Sequence, residues 1–502
     1  MIITYISHAC LYVETSDTTL VFDPWIDGPA YMAQWNVFPA PTERALARQA
    51  AVVVISHGHE DHLHPRTLAN FRKNKTLLYP YYWYGDTIRY LRQFQFSKTI
   101  EAIPGRRYSL GTRTFITAIV NGQDSILVLE ADGQVIVNVN DALHSCDARL
   151  IELYTTILKK RWPKIDVVFC GFAGASYFPN VFHCPGKDDA EVARLREELY
   201  VYNFCRVVDR LSPDIAVPFA ADFVLLDPRQ RWINATRFPR EQIARYYSRE
   251  FLGSARSEIV VMYPGDRLVD KQLHASALYR TKGTGETRDG LVRAQYPDAC
   301  SVFTQPPKTE VPQHTIAAML QEHIDREARH YRSRAIDQLH FALHLRDLEG
   351  QRWFNVRLDG RKATVTASAE PDEEAAIRVE TVTGVVLNSM TSDWGGDALI
   401  IGYGCEVEIM DPGQATRART CVELLTRYPR PRTYAPRHPW RAFRYALGSL
   451  PAIGHRIAFR LQHVAGRDAV ASKSAMGGHL WLTGDLERIR RTNGLQTQYS
   501  SS

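Results

Sequence analysis

Short apolar runs alternate with polar loops and helical patterns over the first 270 residues or so. Ile2 to Glu14 and Thr19 to Phe22 read as a hairpin. Ala51 to Ser56 (AVVVIS), Val135 to Asn140 (VIVNVN), Asp166 to Cys170 (DVVFC) and Ile215 to Phe219 (IAVPF) are runs of strand length, as expected of short buried strands. Each ends in residues able to carry polar chemistry, so a site at strand ends is expected. Asp188 to Leu211 places Val192, Leu195 and Leu199 at helical spacing and predicts a helix covering one sheet face. Strands alternating with helices predict an α/β domain over residues 1–280.

The pattern changes after that. Thr281 to Pro312 is rich in Gly, Pro, Thr and charge, and reads as a linker. A second, smaller unit is expected over 313–430: helix to about Ala335, then strands at Gln338 to His344, Trp353 to Leu358, Lys362 to Ser368 and Ala376 to Glu380, a further helix, and a closing strand near Ile400 to Met410. Such an order makes an α+β unit. Residues 431–502 form a basic C-terminal extension with amphipathic stretches at Trp440 to Leu447 and His455 to His463.

A chain of 502 residues exceeds what one hydrophobic core usually organises, which agrees with two or more domains. The 61 Lys and Arg exceed the 55 Asp and Glu by six. Residues 431–502 hold 11 of the basic and 3 of the acidic residues, so the rest of the chain is close to neutral. Packing of the basic extension on the protein's own body is favoured over nucleic acid or an acidic membrane surface. No run approaches the roughly 20 apolar residues of a membrane-spanning helix, and stable membrane insertion is not expected. The N-terminus lacks the basic and apolar regions of a secretory signal, and the 8 cysteines show no Cys-x-x-Cys pair, so a cytoplasmic location with reduced thiols is expected.

The strongest chemical signal is Ser56-His57-Gly58-His59-Glu60-Asp61-His62-Leu63-His64, directly after AVVVIS. A loop from strand to helix lets closely spaced imidazoles and carboxylates converge, and an ordinary solvated polar loop has little use for so many ligands. Imidazole and carboxylate suit Zn, Fe or Mn, and the absence of thiolate argues against a closed structural zinc site. An open catalytic metal site follows.

His-x-His-x-Asp-His resembles the signature of the metallo-β-lactamase superfamily, which implies an αββα sandwich. By that resemblance His57 and His59 serve one metal, Asp61 and His62 serve a second, and Asp141, ending Asn138-Val139-Asn140-Asp141, is the bridging aspartate; for Asp141 the alternative is a turn cap. Two histidines usual in the superfamily are missing. The segment before the bridging aspartate reads Val120-Asn121-Gly122-Gln123-Asp124-Ser125, where Asp124 or an amide must substitute, and Pro218-Phe219-Ala220-Ala221-Asp222-Phe223 holds no histidine. Both losses tilt the expected pair of metal ions toward iron, with zinc or manganese as the alternative.

Further motifs narrow the resemblance. His8-Ala9-Cys10-Leu11, Val21-Phe22-Asp23-Pro24-Trp25 through Gly28-Pro29-Ala30, Gly171 to Pro179, Pro218-Phe219-Ala220, Trp394 and Ile401-Gly402-Tyr403-Gly404 look like the metallo-β-lactamase portion of the CMP-N-acetylneuraminate hydroxylase family. That family also carries a Rieske iron–sulfur domain, which is not expected here because the resemblance begins at Met1; electrons, if needed, are expected from a separate protein or from the substrate itself. The second unit resembles a sterol-carrier-protein-like fold.

His144 and His183 join Asp61 as catalytic candidates, and with His64 they are candidate ligands or proton carriers, an ordinary polar role being the alternative for each. His8 is a candidate for orienting a ligand, or a satisfied core histidine. Asp23 is expected to fix a loop beneath the site, and Asp222 or Asp227 to supply an oxygen ligand. Tyr81, Tyr82, Trp83, Tyr84 and Tyr177 wall a pocket or pack a loop. The favoured function is a non-haem iron oxygenase or hydroxylase acting on a small polar metabolite, in sugar-nucleotide or natural-product metabolism, with O2 as co-substrate. The alternative is a dinuclear Zn or Mn hydrolase of a lactone, phosphodiester or amide. A non-catalytic metal or lipid carrier is a third class, and a homodimer is compatible with the second unit.

Overall fold

The computed structural model describes residues 1–427 apart from 83–85, 123, 175–176, 277–287, 298–310, 330–335 and 393–394, together with 439–448 and isolated positions beyond. Trp83, Tyr84, Trp394 and the stretch 455–463 therefore lie outside the described residues, as does the Tyr177 side chain.

Two mixed sheets face each other. The first has eight strands in the order Gln272–His274, Arg267–Val269, Ile2–Ser7, Cys10–Glu14, Thr19–Phe22, Val52–Val54, Thr76–Pro80, Lys98–Ala102. It is antiparallel as far as Thr19–Phe22 and parallel from there on. The second has seven, in the order Glu258–Ile259, Ile215–Phe219, Val167–Gly171, Gln134–Asn140, Asp124–Ala131, Phe115–Asn121, Arg107–Ser109. Its first four strands are parallel and the rest are antiparallel.

Alternation along each strand sorts side chains into layers. Val52 and Val54 join Phe22, Leu78, Leu127, Phe169 and Val217 between the sheets, while Val53 packs outward with Leu68 and Leu91 under the helices of the first sheet. Val137, Val139 and Val168 likewise point away from the first sheet, onto the helices Ala148–Arg161 and Asp189–Leu211. Both helices start at an aspartate cap: Asp147 accepts from the amides of Arg149 and Leu150, and Asp188 from that of Glu191. The result is a four-layer α/β/β/α arrangement, with the helix expected from Asp188 to Leu211 in place.

The C-terminal unit contains the helix Gln313–Ala328 and the strands His340–Leu345, Trp353–Asp359, Lys362–Ser368, Ile377–Thr381 and Glu406–Ile409. Its sheet gains a sixth strand from the first unit, Phe182–His183, parallel to Glu406–Ile409. One apolar cluster runs through Trp25, Tyr31, Trp35, Val181, Leu199 and Phe223 into Leu343, Val385, Tyr403 and Val407. The two units thus share a core. Within the stretch expected as a linker, Arg288–Gln295 is helical, and Tyr296 Oη donates to Val37 O at 2.5 Å. At the other end of the chain, the helix Pro439–Gly448 is docked by Arg441, which pairs with Glu101. No helix among the described residues is long and apolar enough to cross a membrane.

Phe169 is fully buried between the sheets, edge-on to Phe219. Phe169→Ala is expected to lower stability by about 3–5 kcal/mol in denaturant unfolding; a loss under about 1 kcal/mol would contradict a close-packed interface between the sheets.

A candidate metal centre at the strand ends

Four loops leaving strand ends converge at one edge of the sandwich: His8, Asp23, the segment from Ser56 to His64, and Asn140-Asp141. Three turn through left-handed backbone at a residue bearing Cβ, at His8 (φ 50°), Asp23 (φ 40°) and Asn140 (φ 54°). Such conformations cost of order 1 kcal/mol or more each and persist where the surroundings fix them.

Asp23 is the hub. Its carboxylate is fully buried and accepts from the Ser56 amide (2.7 Å), the Ser56 hydroxyl (2.7 Å), His62 Nδ1 (3.1 Å) and the Asn140 side-chain amide. A carboxylate can only accept, so His62 keeps a proton on Nδ1 and turns Nε2, the nitrogen a metal would take, toward the other ligand groups. The Ser56 hydroxyl spends its hydrogen on Asp23, so it accepts from His57 Nδ1 at 2.9 Å, which turns His57 Nε2 toward the other ligands in the same way.

Both Nε2 atoms face other ligand atoms. His57 Nε2 lies 2.8 Å from His59 Nδ1 and 3.7 Å from Asp124 Oδ1, and His62 Nε2 lies 3.4 Å from both Asp61 Oδ2 and Asp141 Oδ2. Two groups of close ligand atoms result, His57 with His59 and Asp141, and Asp61 with His62 and His8. His62 Nε2 and Asp141 Oδ1 are sealed from solvent with no hydrogen-bond partner among the described residues. Burial disfavours charge on His62, yet Asp61 and Asp141 outweigh it and raise its pKa well above the ordinary imidazole value. Carboxylates that draw a proton so firmly lack positive charge, and the donor set of imidazole and carboxylate fits a divalent metal.

His8 plays a different part. The Asp222 amide donates to His8 Nδ1 at 3.1 Å, so that nitrogen carries no hydrogen. The proton sits on Nε2, which donates to Asp61 Oδ2 at 3.0 Å. Tyr31 Oη donates to the other oxygen, Asp61 Oδ1, at 2.5 Å. Burial, then Asp61, push the Tyr31 phenol well above its usual range, so it stays a donor. Burial raises the Asp61 pKa, but His62 and His8 overcome it and hold the carboxyl well below its usual range.

The remaining candidates are placed as follows. His64 caps the helix Pro65–Ala69: Nδ1 takes the Thr67 amide and hydroxyl, Nε2 donates to Pro29 O at 3.1 Å, and burial pushes its pKa down to about 4. His144 is buried against Tyr200, its pKa lowered by burial, with no hydrogen-bond partner at Nδ1 among the described residues. His183 is not brought to the cluster; it is part-exposed, pairs with Asp189 at 2.6 Å and extends the C-terminal sheet. The Asp222 carboxylate is taken by Arg240, the Tyr5 hydroxyl and the His8 amide, and Asp227 by Arg229, so neither offers the oxygen ligand expected of it. Tyr82 donates to Ser56 O at 2.9 Å beneath the loop, while Tyr81 stacks under Arg441. The sequence reading missed Ser56, Asn140 and Tyr31. Ser56, directly before His57, carried the clearest available signal.

Residues 2–174 match the family model described as the beta-lactamase superfamily domain. Among characterised proteins the chain is similar to the cytidine monophosphate-N-acetylneuraminic acid hydroxylases of Danio rerio (31% identical over 251 residues, 47% of this chain and 40% of that protein) and Mus musculus (31% over 252 residues, 47% and 41%). A human relative at 31% identity, covering 47% of each chain, is described as inactive. The chain thus spans less than half the length of these relatives. Solved structures that align include a mutant of the CmlA beta-hydroxylase (15% identity, TM-score 0.36, 55% of this chain and 54% of that one). Another is an isothiocyanate hydrolase from Delia radicum gut bacteria (14%, TM-score 0.36, 54% and 98%).

Asp23→Asn and Asp61→Ala separate orientation from ligation. Asp61→Ala should lose bound metal, whereas Asp23→Asn, which cannot accept all four donors, should weaken metal affinity about 10- to 100-fold in chelator competition. Wild-type affinity in Asp23→Asn would contradict its orienting role.

Proposed function

We propose that the protein is a metal-dependent oxygenase that hydroxylates a small polar metabolite, with sugar nucleotides as the first class to test. What carries the reading is the ligand set: three imidazoles and three carboxylates, with Asp124 beside His57 where the superfamily commonly has a histidine. Bound iron would supply the redox chemistry toward O2 that hydroxylation needs, and carboxylate-rich ligation suits its higher oxidation states.

The chain's own residues do the rest. His57, His59 and Asp124 would hold one ion, Asp61 and His62 the other, with Asp141 between them. Asp23 and Ser56 hold the Nδ1 hydrogens of His62 and His57, so Nε2 of each is the nitrogen presented to a metal. His144, buried close to Asp141 and neutral by burial, would accept or release a proton at Nδ1. In the overall reaction one oxygen atom of O2 enters a C–H bond and the other leaves as water, consuming two electrons and two protons from an external donor. The relatives named as hydroxylases support this reading over the part of them that the chain covers. We also carry forward the sterol-carrier-like reading of the C-terminal unit.

A hydrolase is the second reading, favoured by the placement of Asp141 against both ligand groups, an arrangement suited to a pair of zinc or manganese ions that would present water to a lactone, phosphodiester or amide.

Metal analysis of protein produced with iron, zinc and manganese all available tests both. Bound iron, O2 uptake with a sugar nucleotide and reductant, and a product heavier by one oxygen atom are expected. Zinc or manganese with ester or phosphodiester cleavage and no O2 uptake would overturn the oxygenase in favour of the hydrolase.

A further inference from the structure

Tyr31 reaches Asp61 from an unusual segment. Tyr31, Met32 and Ala33 all have left-handed backbone (φ 53°, 55° and 68°), a run that residues with Cβ adopt only under constraint. Its two ends are clasped, Ala30 and Trp35 exchanging amide-to-carbonyl hydrogen bonds of 3.0 and 3.2 Å. Within the first unit, the Tyr31 amide donates to Glu60 Oε2 at 2.7 Å.

The remaining constraint comes from the C-terminal unit. Gly402 lies so close that a Cβ built on it would stand 2.5 Å from Tyr31 Cβ, nearer than carbon atoms approach without displacement. Gln34, closing the left-handed run, donates to Ala398 O at 3.1 Å, and the Gly404 amide donates to the same carbonyl at 3.0 Å. Trp35 packs edge-on to Tyr31 at 4.9 Å and lies 5.8 Å from the Tyr403 ring, whose residue is itself left-handed (φ 60°). The Tyr403 carbonyl is held in turn by Gln230 at 2.7 Å.

We propose that the C-terminal unit is a structural arm of the metal centre: its turn from Ala398 to Gly404 presses the Tyr31 segment into place, so that the Tyr31 hydroxyl fixes the rotation of Asp61 as a ligand. Tyr31 is then a positioning residue, and Gly402 acts on the centre only through it. The inference rests on the metal reading of Asp61. With Oδ1 held by Tyr31 and Oδ2 by His8, the carboxylate is locked at both oxygens before any ion arrives, which lowers the ordering needed for binding.

The test is metal affinity, read by chelator competition on the full chain, for wild type, Tyr31→Phe, Gly402→Ala, the double variant and His59→Ala, with thermal melting of each. Tyr31→Phe keeps the buried ring and removes only the donor. It should weaken binding of the more labile metal about 10-fold while melting close to wild type. Gly402→Ala, remote from every ligand, should weaken the same metal, and the double variant should bind no worse than the weaker single variant, because both act through one hydroxyl. Metal affinity unchanged in Tyr31→Phe would overturn the proposal, as would additive losses in the double variant. Equal metal content in wild type and His59→Ala would instead overturn the metal reading beneath it.

Discussion

Asp23 dictates the proton positions on which coordination depends. An imidazole offers a lone pair to a metal only at the nitrogen that holds no hydrogen, and in an isolated histidine either nitrogen can hold it. The Asp23 carboxylate takes the Nδ1 hydrogen of His62 directly and that of His57 through Ser56, so both Nε2 atoms turn toward Asp141 and Asp124. The same carboxylate receives the Asn140 amide from the strand end of the opposite sheet. One buried charge therefore sets two tautomers and ties the two sheets together at the site. Burying it alone would be strongly unfavourable, and four donors compensate.

His8 differs in its proton position from the histidines that it sits among. Proximity alone groups it with Asp61 and His62, but the Asp222 amide fixes its hydrogen on the nitrogen that faces Asp61. It fastens a ligand instead of coordinating. The Asp222 carboxylate is itself bound to Arg240 and Tyr5 and accepts from the His8 amide, so the residue that fixes the His8 tautomer is anchored on both sides. The strained backbone at His8, Asp23 and Asn140 is concentrated in the loops that deliver these groups, while the apolar layers behind them are regular.

Much of this was legible in the sequence where the signal is local. Four apolar runs of strand length, each followed by polar residues, located the parallel strands and the edge that carries the site, because strand burial and the polar loop after it are properties of consecutive residues. The clustering of His57, His59, Asp61 and His62 likewise reflects one short loop. Contacts that depend on tertiary approach were hidden: nothing near Tyr31 in sequence marks it as a partner of Asp61, and Asn140 looks like an ordinary strand residue. His64 shares the loop with the ligands, yet its place just before Pro65 is a helix-cap position, a signal that the richness of the histidine cluster masked. The stretch 281–312 has a linker's composition, but the composition could not reveal the helix Arg288–Gln295 or the core shared by the two units.

The most direct measurement is diffraction from crystals of metal-loaded protein at the absorption edge of the bound metal. Anomalous peaks are expected at ligand distances of about 2.0–2.2 Å from His57 Nε2, His62 Nε2 and Asp141, with His8 Nε2 still bonded to Asp61 and outside the coordination sphere. A peak ligated by His8, or no peak within reach of His57 and His62, would contradict this ligand assignment.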